Sequence, residues 1–299
     1  MKGIILAAGY GTKFLPISKS VPQEMLPLID RPLIELVVQE FLDAGIHEIL
    51  MISSRRKKVM EDYFDRELEM EGIFELEGAM KKLRNLMAPS EMADIHFLRQ
   101  KELLGTGHAI YLARRFIDDE AFAVAYPADI FLGDPPAIGQ LREIHQKYDT
   151  HVLGAYPLSK EEEAQRFGVL ELENEREENV FEVADIREKP MPGTFPTGKH
   201  LSVGRYIFKP DIIPIFGDLL QRPRPGDVIF QTDAIKVLPK GNVLAKIIKG
   251  ERLDNSNPLE YIKSFTKYAM TRKEFRDDYK AYLRTLIKSI KENNHVDTF

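Results

Sequence analysis

Short apolar runs alternate with longer segments in which apolar residues recur every third or fourth position. Ile4-Ile5-Leu6-Ala7-Ala8, Glu48-Ile49-Leu50-Met51-Ile52, Ile95-His96-Phe97-Leu98 and Ala121-Phe122-Ala123-Val124-Ala125-Tyr126 read as strands. Between them Leu33 to Ala44 carries a broad apolar helical face that ends at Gly45, and Gly107 to Phe116 reads as a second helix. Residues 55 to 88 are charged and helix-prone, which predicts a solvated helical face. Strands apolar throughout and separated by helices predict a parallel sheet covered on both faces. From residue 151 the runs shorten and alternate, at His151–Tyr156, Gly168–Leu172 and Val180–Val183, which predicts hairpins added to the same sheet. Residues 259 to 292 return to helix, and the last few are expected to fray. The expected fold is therefore α/β: a Rossmann-like mixed, mainly parallel sheet flanked by helices, with added β-hairpins and a C-terminal helical segment. The expected division is 1–265 as the main domain and 266–299 as a helical extension packed on it.

The first strand runs straight into Gly9-Tyr10-Gly11-Thr12-Lys13-Phe14-Leu15-Pro16. Small residues at Ala7 and Ala8 and glycines at 9 and 11 let backbone N–H groups close on a phosphate or a base, and Lys13 supplies positive charge. The alternative is an ordinary tight connection after a buried strand. Neither familiar phosphate loop fits. A dinucleotide fingerprint needs a small residue where Phe14 stands and a helix that Pro16 opposes, and a P-loop needs Gly-Lys-Ser/Thr where the chain has Gly-Thr-Lys-Phe.

Composition narrows the classes. The 299 residues can bury a sizeable core, and a net charge of −5 gives no electrostatic case for nucleic acid. No apolar run approaches the ~20 residues of a membrane span, and Met1 leads directly into a strand, so a cytoplasmic protein with no membrane partner is expected. Without cysteine there is no disulfide or thiolate chemistry, and the seven histidines lack metal-ligand spacing.

In open α/β sheets the ligand crevice lies beyond the carboxyl ends of the strands, so the polar residues there are the candidates. Asp129 follows the strand ending at Tyr126 and is either a Mg²⁺ ligand or a turn cap. Gln100 precedes a second glycine turn, Gly105-Thr106-Gly107, where it could read a base edge or simply start a helix. Glu188-Lys189-Pro190 sets an acid beside a base; a pocket could use both only if the chain turns there. Asp233 opens a helix and is an N-cap by default, although two distant aspartates converging on one cation would be informative.

The segment LAAGYGTKFLPISKSVPQEMLPLIDRP matches the form LAAGxGTRxLPxTKxxPKEMLPxxDKP. Together with Arg99-Gln100 before Gly105-Thr106-Gly107-His108-Ala109, then Glu188-Lys189-Pro190 and Gly204-Arg205-Tyr206 in order, it resembles the bacterial UTP-glucose-1-phosphate uridylyltransferases of the sugar-phosphate nucleotidyltransferase family over nearly the whole chain. The resemblance implies transfer of a uridylyl group from UTP to glucose 1-phosphate with Mg²⁺. It implies Ala8, Gly9 and Gly11 under the nucleotide, Gln100 and Gly105 at the uracil, and Asp129 and Asp233 on the metal. Glu188 would take sugar hydroxyls, Lys189 the sugar phosphate, and Gly168 would lie against the hexose. Lys13 and Gln23 stand where the family has arginine and lysine at the reacting phosphates. Lys13 keeps the charge and loses the two-bond fork, while Gln23 loses the charge, with Lys19 the nearby cation that could substitute. Asp254-Asn255-Ser256 replaces an aspartate-cysteine-glycine piece. A binding paralogue with weakened turnover, acting as a regulator or partner subunit, is the competing expectation. The oligomeric state stays open, a homo-oligomer included.

Overall fold

The computed structural model describes residues 1–158, 165–191, 200–221 and 228–292; the frayed end expected at 293–299 lies outside them. The strands are β1 (Lys2–Leu6), β2 (Pro27–Leu28), β3 (Arg31–Pro32), β4 (Glu48–Ser53), β5 (Asp94–Arg99), β6 (Phe122–Ala125), β7 (Asp129–Leu132), β8 (His151–Pro157), β9 (Gly168–Glu177), β10 (Val180–Glu188), β11 (His200–Phe208), β12 (Val243–Ile247) and β13 (Glu251–Asp254). The helices are α1 (Leu33–Asp43), α2 (Lys58–Phe64), α3 (Leu68–Leu76), α4 (Met80–Met87), α5 (Thr106–Leu112), α6 (Arg114–Ile117), α7 (Ala137–Tyr148), α8 (Ile212–Gln221), α9 (Gln231–Val237), α10 (Pro258–Thr271) and α11 (Arg276–Glu292).

One nine-stranded sheet runs β5-β4-β1-β6-β11-β8-β12-β10-β9. Its first four strands are parallel, as apolar runs joined by helices require. The second half is mixed: β11 enters antiparallel between β6 and β8, and β9 and β10 form the expected hairpin. β7 and β13 make a separate two-stranded ladder.

Alternation along a strand divides the core. Ile5 of β1 packs with α1 and α7, whereas Ile4 faces the opposite layer of α5, α8 and α9. On α1 the residues Leu33, Ile34, Val37, Val38 and Phe41 are fully buried, each worth ~1.5–3 kcal/mol over exposure. That helix stops as expected at Gly45, whose left-handed backbone lets Gly45 and Ile46 N–H groups close on Leu42 and Phe41 carbonyls. The charged stretch after residue 55 is three short helices, α2 to α4. The C-terminal helix is two, and the boundary expected at residue 265 falls inside α10.

A buried ion pair organises the sheet's ligand-facing edge. Arg205 on β11 is fully buried and grips the α1 carboxylate of Glu40 by two bonds, 2.9 Å from Nε to Oε1 and 2.7 Å from Nη2 to Oε2. Its remaining donors go to the carbonyls of Tyr126, Gly204 and Asp129. The fork thus ties α1 and the segment leaving β6 to β11, holding residues 126–129 against the sheet through the Tyr126 and Asp129 carbonyls.

Candidate active site

A cavity of about 320 Å³ opens beyond the carboxyl ends of β1, β5 and β6. Ala8, Gly9, Gln23, Gln100, Gly105 and Phe230 line it, so the two glycine turns face each other across one cleft. The first turn is not followed by an α-helix but by 3-10 turns at Thr12–Phe14 and Ile17–Lys19, consistent with Pro16. Gly11 is left-handed (φ 64°), and Phe14 buries its ring edge-on against Tyr261 of α10. At the second turn Gly105 has φ 100°, and a Cβ there would lie 2.2 Å from the carbonyl oxygen of Ile229. Only glycine fits. Gln100 is buried behind this turn and donates its amide N–H to Gly105 O at 3.1 Å, leaving its side-chain oxygen for the cavity.

Glu188 and Lys189 need a turn in order to share a pocket, and the chain makes one. Lys189 adopts a left-handed backbone (φ 42°), unusual for a residue with a side chain, and its Nζ sits 3.7 Å from Glu188 Oε1. Burial pushes the Glu188 carboxyl up, against the opposing pull of the Lys189 charge. Gly168 lies beside it: a Cβ at that position would be 3.5 Å from Glu188 Oε2. Glu188 Oε2, Thr232 Oγ1 and Asn255 Oδ1 are buried without a hydrogen bond among the described residues. Such orphaned polar atoms around one cleft are the mark of a site that expects ligand.

Lys13 has its pKa lowered chiefly by burial and then by the charges of Arg166 and, more weakly, Lys189, with Asp254 acting in the opposite sense. These cations therefore converge on one end of the cleft. Arg166 pairs with Asp254 at 3.0 Å. Sequence reasoning missed Arg166 and Arg252; the signal available was an arginine next to Gly168 and another two residues before Asp254.

Both aspartates expected at the metal have protein partners in this structure. Asp129 is buried, with Oδ1 held by Arg252 (2.8 Å to Nε, 2.5 Å to Nη2) and Oδ2 accepting from Gly204 N at 3.2 Å. The residue before it, Ala128, lines the cleft in its place. Asp233 is the third residue of α9 rather than the expected N-cap, which is Phe230, and its carboxylate reaches back to accept the Phe230 N–H at 2.8 Å. Directly across the β7–β13 ladder from Asp129 stands Asp254, whose Oδ1 accepts from Ser256 N and whose Oδ2 pairs with Arg166. Among the described residues no three histidine or acidic side chains gather as a metal cluster. Gln23 does not point at an open phosphate site with a free amide: its Nε2 donates to Asn255 O at 2.7 Å, tying the 22–26 segment to the Asp254 turn.

No helix among the described residues is long and apolar enough to cross a membrane. The sequence profile of the nucleotidyl transferases matches residues 2–250. A UTP–glucose-1-phosphate uridylyltransferase of Bacillus subtilis (strain 168) is 37% identical over 287 residues, covering 96% of this chain and 97% of its own. A UDP-glucose pyrophosphorylase from Acinetobacter baumannii superposes with a TM-score of 0.84 at 26% identity, over 95% of this chain and 99% of its own. A UDP-glucose pyrophosphorylase solved with UDP-glucose superposes with a TM-score of 0.77 at 34% identity, over 91% and 99%. The profile spans β1 through β12, with both glycine turns and the Glu188-Lys189 corner inside it, and on that match the chain belongs to the nucleotidyl transferase family.

Proposed function

We propose that the chain transfers the uridylyl group of UTP to glucose 1-phosphate, giving UDP-glucose and pyrophosphate. The observation that carries this reading is the convergence of Lys13, Arg166 and Lys189 beside the half-buried Glu188, with Lys189 over the Phe230 ring that lines the cavity of the two glycine turns. The glycine turns suit a nucleotide: Ala8, Gly9 and Gly11 pass under it, while Gln100 and Gly105 read the base edge. Glu188 accepts hydrogen bonds from sugar hydroxyls, Gly168 leaves room for the hexose, and Lys189 holds the sugar phosphate. An oxygen of that phosphate attacks the α-phosphorus; the bond from α-phosphorus to the bridging oxygen breaks, and its electron pair leaves with pyrophosphate. Such a transfer needs positioning and charge neutralisation above all, which these cations supply.

Mg²⁺ is proposed to accompany the nucleotide, where it would neutralise phosphate charge. Asp129 and Asp233 are the carboxylates offered for it; Asp129 is paired with Arg252, Asp233 accepts the Phe230 N–H at the start of α9, and the neighbouring Asp254 is paired with Arg166. The neutral Gln23 favours one competing reading, a protein that binds sugar nucleotide and turns over poorly. Pyrophosphate release measured across UTP, dTTP, CTP and ATP with glucose, galactose and N-acetylglucosamine 1-phosphates separates the two. Release is expected for UTP with glucose 1-phosphate; tight UDP-glucose binding without release from any pair would replace catalysis with binding.

A further inference from the structure

Behind the cleft, five polar side chains outside the ligand roles above join in one hydrogen-bonded cluster. Thr106 opens α5, Tyr126 leaves β6, Ser202 and Tyr206 stand on β11, and Gln231 opens α9. Gln231, 4% exposed, is the hub. Its backbone N–H donates to Thr106 Oγ1 at 3.3 Å, which frees the Thr106 proton to point at Gln231 Oε1, 2.5 Å away. The same Oε1 accepts from the Tyr126 hydroxyl at 2.6 Å, while Nε2 donates to the Tyr206 hydroxyl at 3.1 Å. Tyr206 in turn lies 3.1 Å from Ser202 Oγ. Burial pushes both phenols up, so each keeps its proton. One amide thus spends its acceptor on one side and its donor on the other.

The two sides are the two halves of the cleft. On the first, Ile229 N–H donates to Leu104 O at 2.9 Å and Gly107 N–H to Ile229 O at 2.8 Å, so the residues preceding Gln231 are laced to the second glycine turn. On the second, Ser202 pairs with Gly168 across the β9–β11 ladder, and the fully buried Thr232 brings Cγ2 to 3.7 Å from where a Gly168 Cβ would stand. Phe230, between them, lines the cavity and has Lys189 Nζ 5.2 Å from its ring centre. Each half has bonds of its own, and the Gln231 amide reaches both.

We propose that Gln231 is a positioning residue that sets the base turn and the sugar corner at the separation a sugar nucleotide spans. The proposal rests on the nucleotidyl-transfer reading above. Gln231 acts through Thr106 and Tyr126, which line the cavity, and through Tyr206 behind it. A nucleotide and a sugar phosphate each engage one half, but in-line attack on the α-phosphorus needs both halves in register, and a misplacement on the order of 1 Å costs about a hundredfold in rate.

The test compares the full chain with Gln231→Met, Thr106→Val, Thr106→Ser and Tyr206→Phe, using calorimetric binding of UMP, glucose 1-phosphate and UDP-glucose with Mg²⁺, and steady-state pyrophosphate release. Gln231→Met is expected to weaken UDP-glucose, which spans both halves, about tenfold or more, while UMP and glucose 1-phosphate, which each occupy one half, change less than about twofold. Its kcat should fall about thirtyfold to a hundredfold with both KM values within about threefold. Thr106→Val and Tyr206→Phe should each give part of that loss, their double variant no more than Gln231→Met, and Thr106→Ser should retain near-full kcat. UDP-glucose binding and kcat left unchanged by Gln231→Met, or equal losses for UMP and UDP-glucose, would overturn the assignment. Should Gln231→Met fail to fold, strictly additive losses in the Thr106→Val/Tyr206→Phe double variant would overturn it in the same way. An unsubstituted chain that binds UMP but not UDP-glucose would overturn the sugar-nucleotide reading itself, and this inference with it.

Discussion

Replacing Asp129 by asparagine discriminates most sharply between a carboxylate that serves the reaction and one that serves the fold. The side chains of Asp129 and Arg252 are 5% and 7% exposed, and the guanidinium donates through Nε at 2.8 Å and lies within 2.5 Å through Nη2. Asparagine keeps an acceptor for Gly204 N but leaves the Arg252 charge buried without its counter-ion. Breaking one side of such a pair costs about 3–5 kcal/mol, since desolvation of the survivor is no longer offset. For a chain of this size that corresponds to a fall in melting temperature of roughly 5–8 °C. Removing both charges in Asp129→Asn/Arg252→Met should recover most of the loss, because replacing a buried pair is far cheaper than orphaning one partner. Scanning calorimetry of the four proteins closes the double-mutant cycle. A parallel titration of pyrophosphate release against Mg²⁺ should show an unchanged half-saturating concentration for Asp129→Asn. An Asp129→Asn protein with full thermal stability and a raised Mg²⁺ requirement would refute the reasoning and return Asp129 to the metal.

Two further perturbations test other parts of the argument. His151 is 1% exposed, accepts Lys209 N–H at Nδ1 and lies 3.2 Å through Nε2 from Asp211, so it is satisfied as a neutral ring; burial pushes its pKa down to about 4. Because the unfolded chain takes up a proton near pH 6.5 and the folded one does not, up to about 3 kcal/mol should be lost between pH 6.5 and 4. His151→Gln should be less stable at pH 7.5 and lose less on acidification; parallel melting curves against pH for both proteins would rule this out. Gly105→Ala drives a Cβ to 2.2 Å from Ile229 O at φ 100°, so it should cost at least ~1–3 kcal/mol in strain and weaken UTP more than tenfold, unlike an alanine at Gly72, where nothing lies within 4 Å. Calorimetry giving Gly105→Ala the UTP affinity of the unsubstituted chain would remove that turn from the base site.

What the sequence reveals and what it hides divide along physical lines. The parallel half of the sheet was legible because apolar runs such as Phe122–Ala125 are buried on both faces and announce themselves without partners. The two glycine turns were legible because small residues after a strand have few other uses. Glu188 and Lys189 were legible as a pair only on the condition of a turn, which the left-handed Lys189 supplies. The antiparallel entry of β11 between β6 and β8 was not, since pairing order is decided by long-range contacts. The surroundings of Asp129 were not legible either. One step along a strand reverses the side a residue faces, and sequence position alone could not tell that Ala128 meets the cleft while Asp129 meets Arg252. Arg252 stands 123 residues from the carboxylate it neutralises, beyond any local pattern.

The tie between Gln23 and Asn255 has a consequence for how the chain acquires its cleft during synthesis. The partners are 232 residues apart, and two neighbouring links are as distant: the Tyr261 hydroxyl donates to Pro27 O, and Arg272 holds Asp30. A ribosome adding about 5–20 residues per second delivers those anchors roughly 10–50 s after the segment they secure. The parallel strands β1, β4, β5 and β6 can associate well before then, but the segment from Phe14 to Asp30 must wait at their edge without its C-terminal supports. Nascent chains stalled short of residue 254 should accordingly collapse around the sheet and yet expose this segment to protease, with protection arriving in one step as α10 emerges.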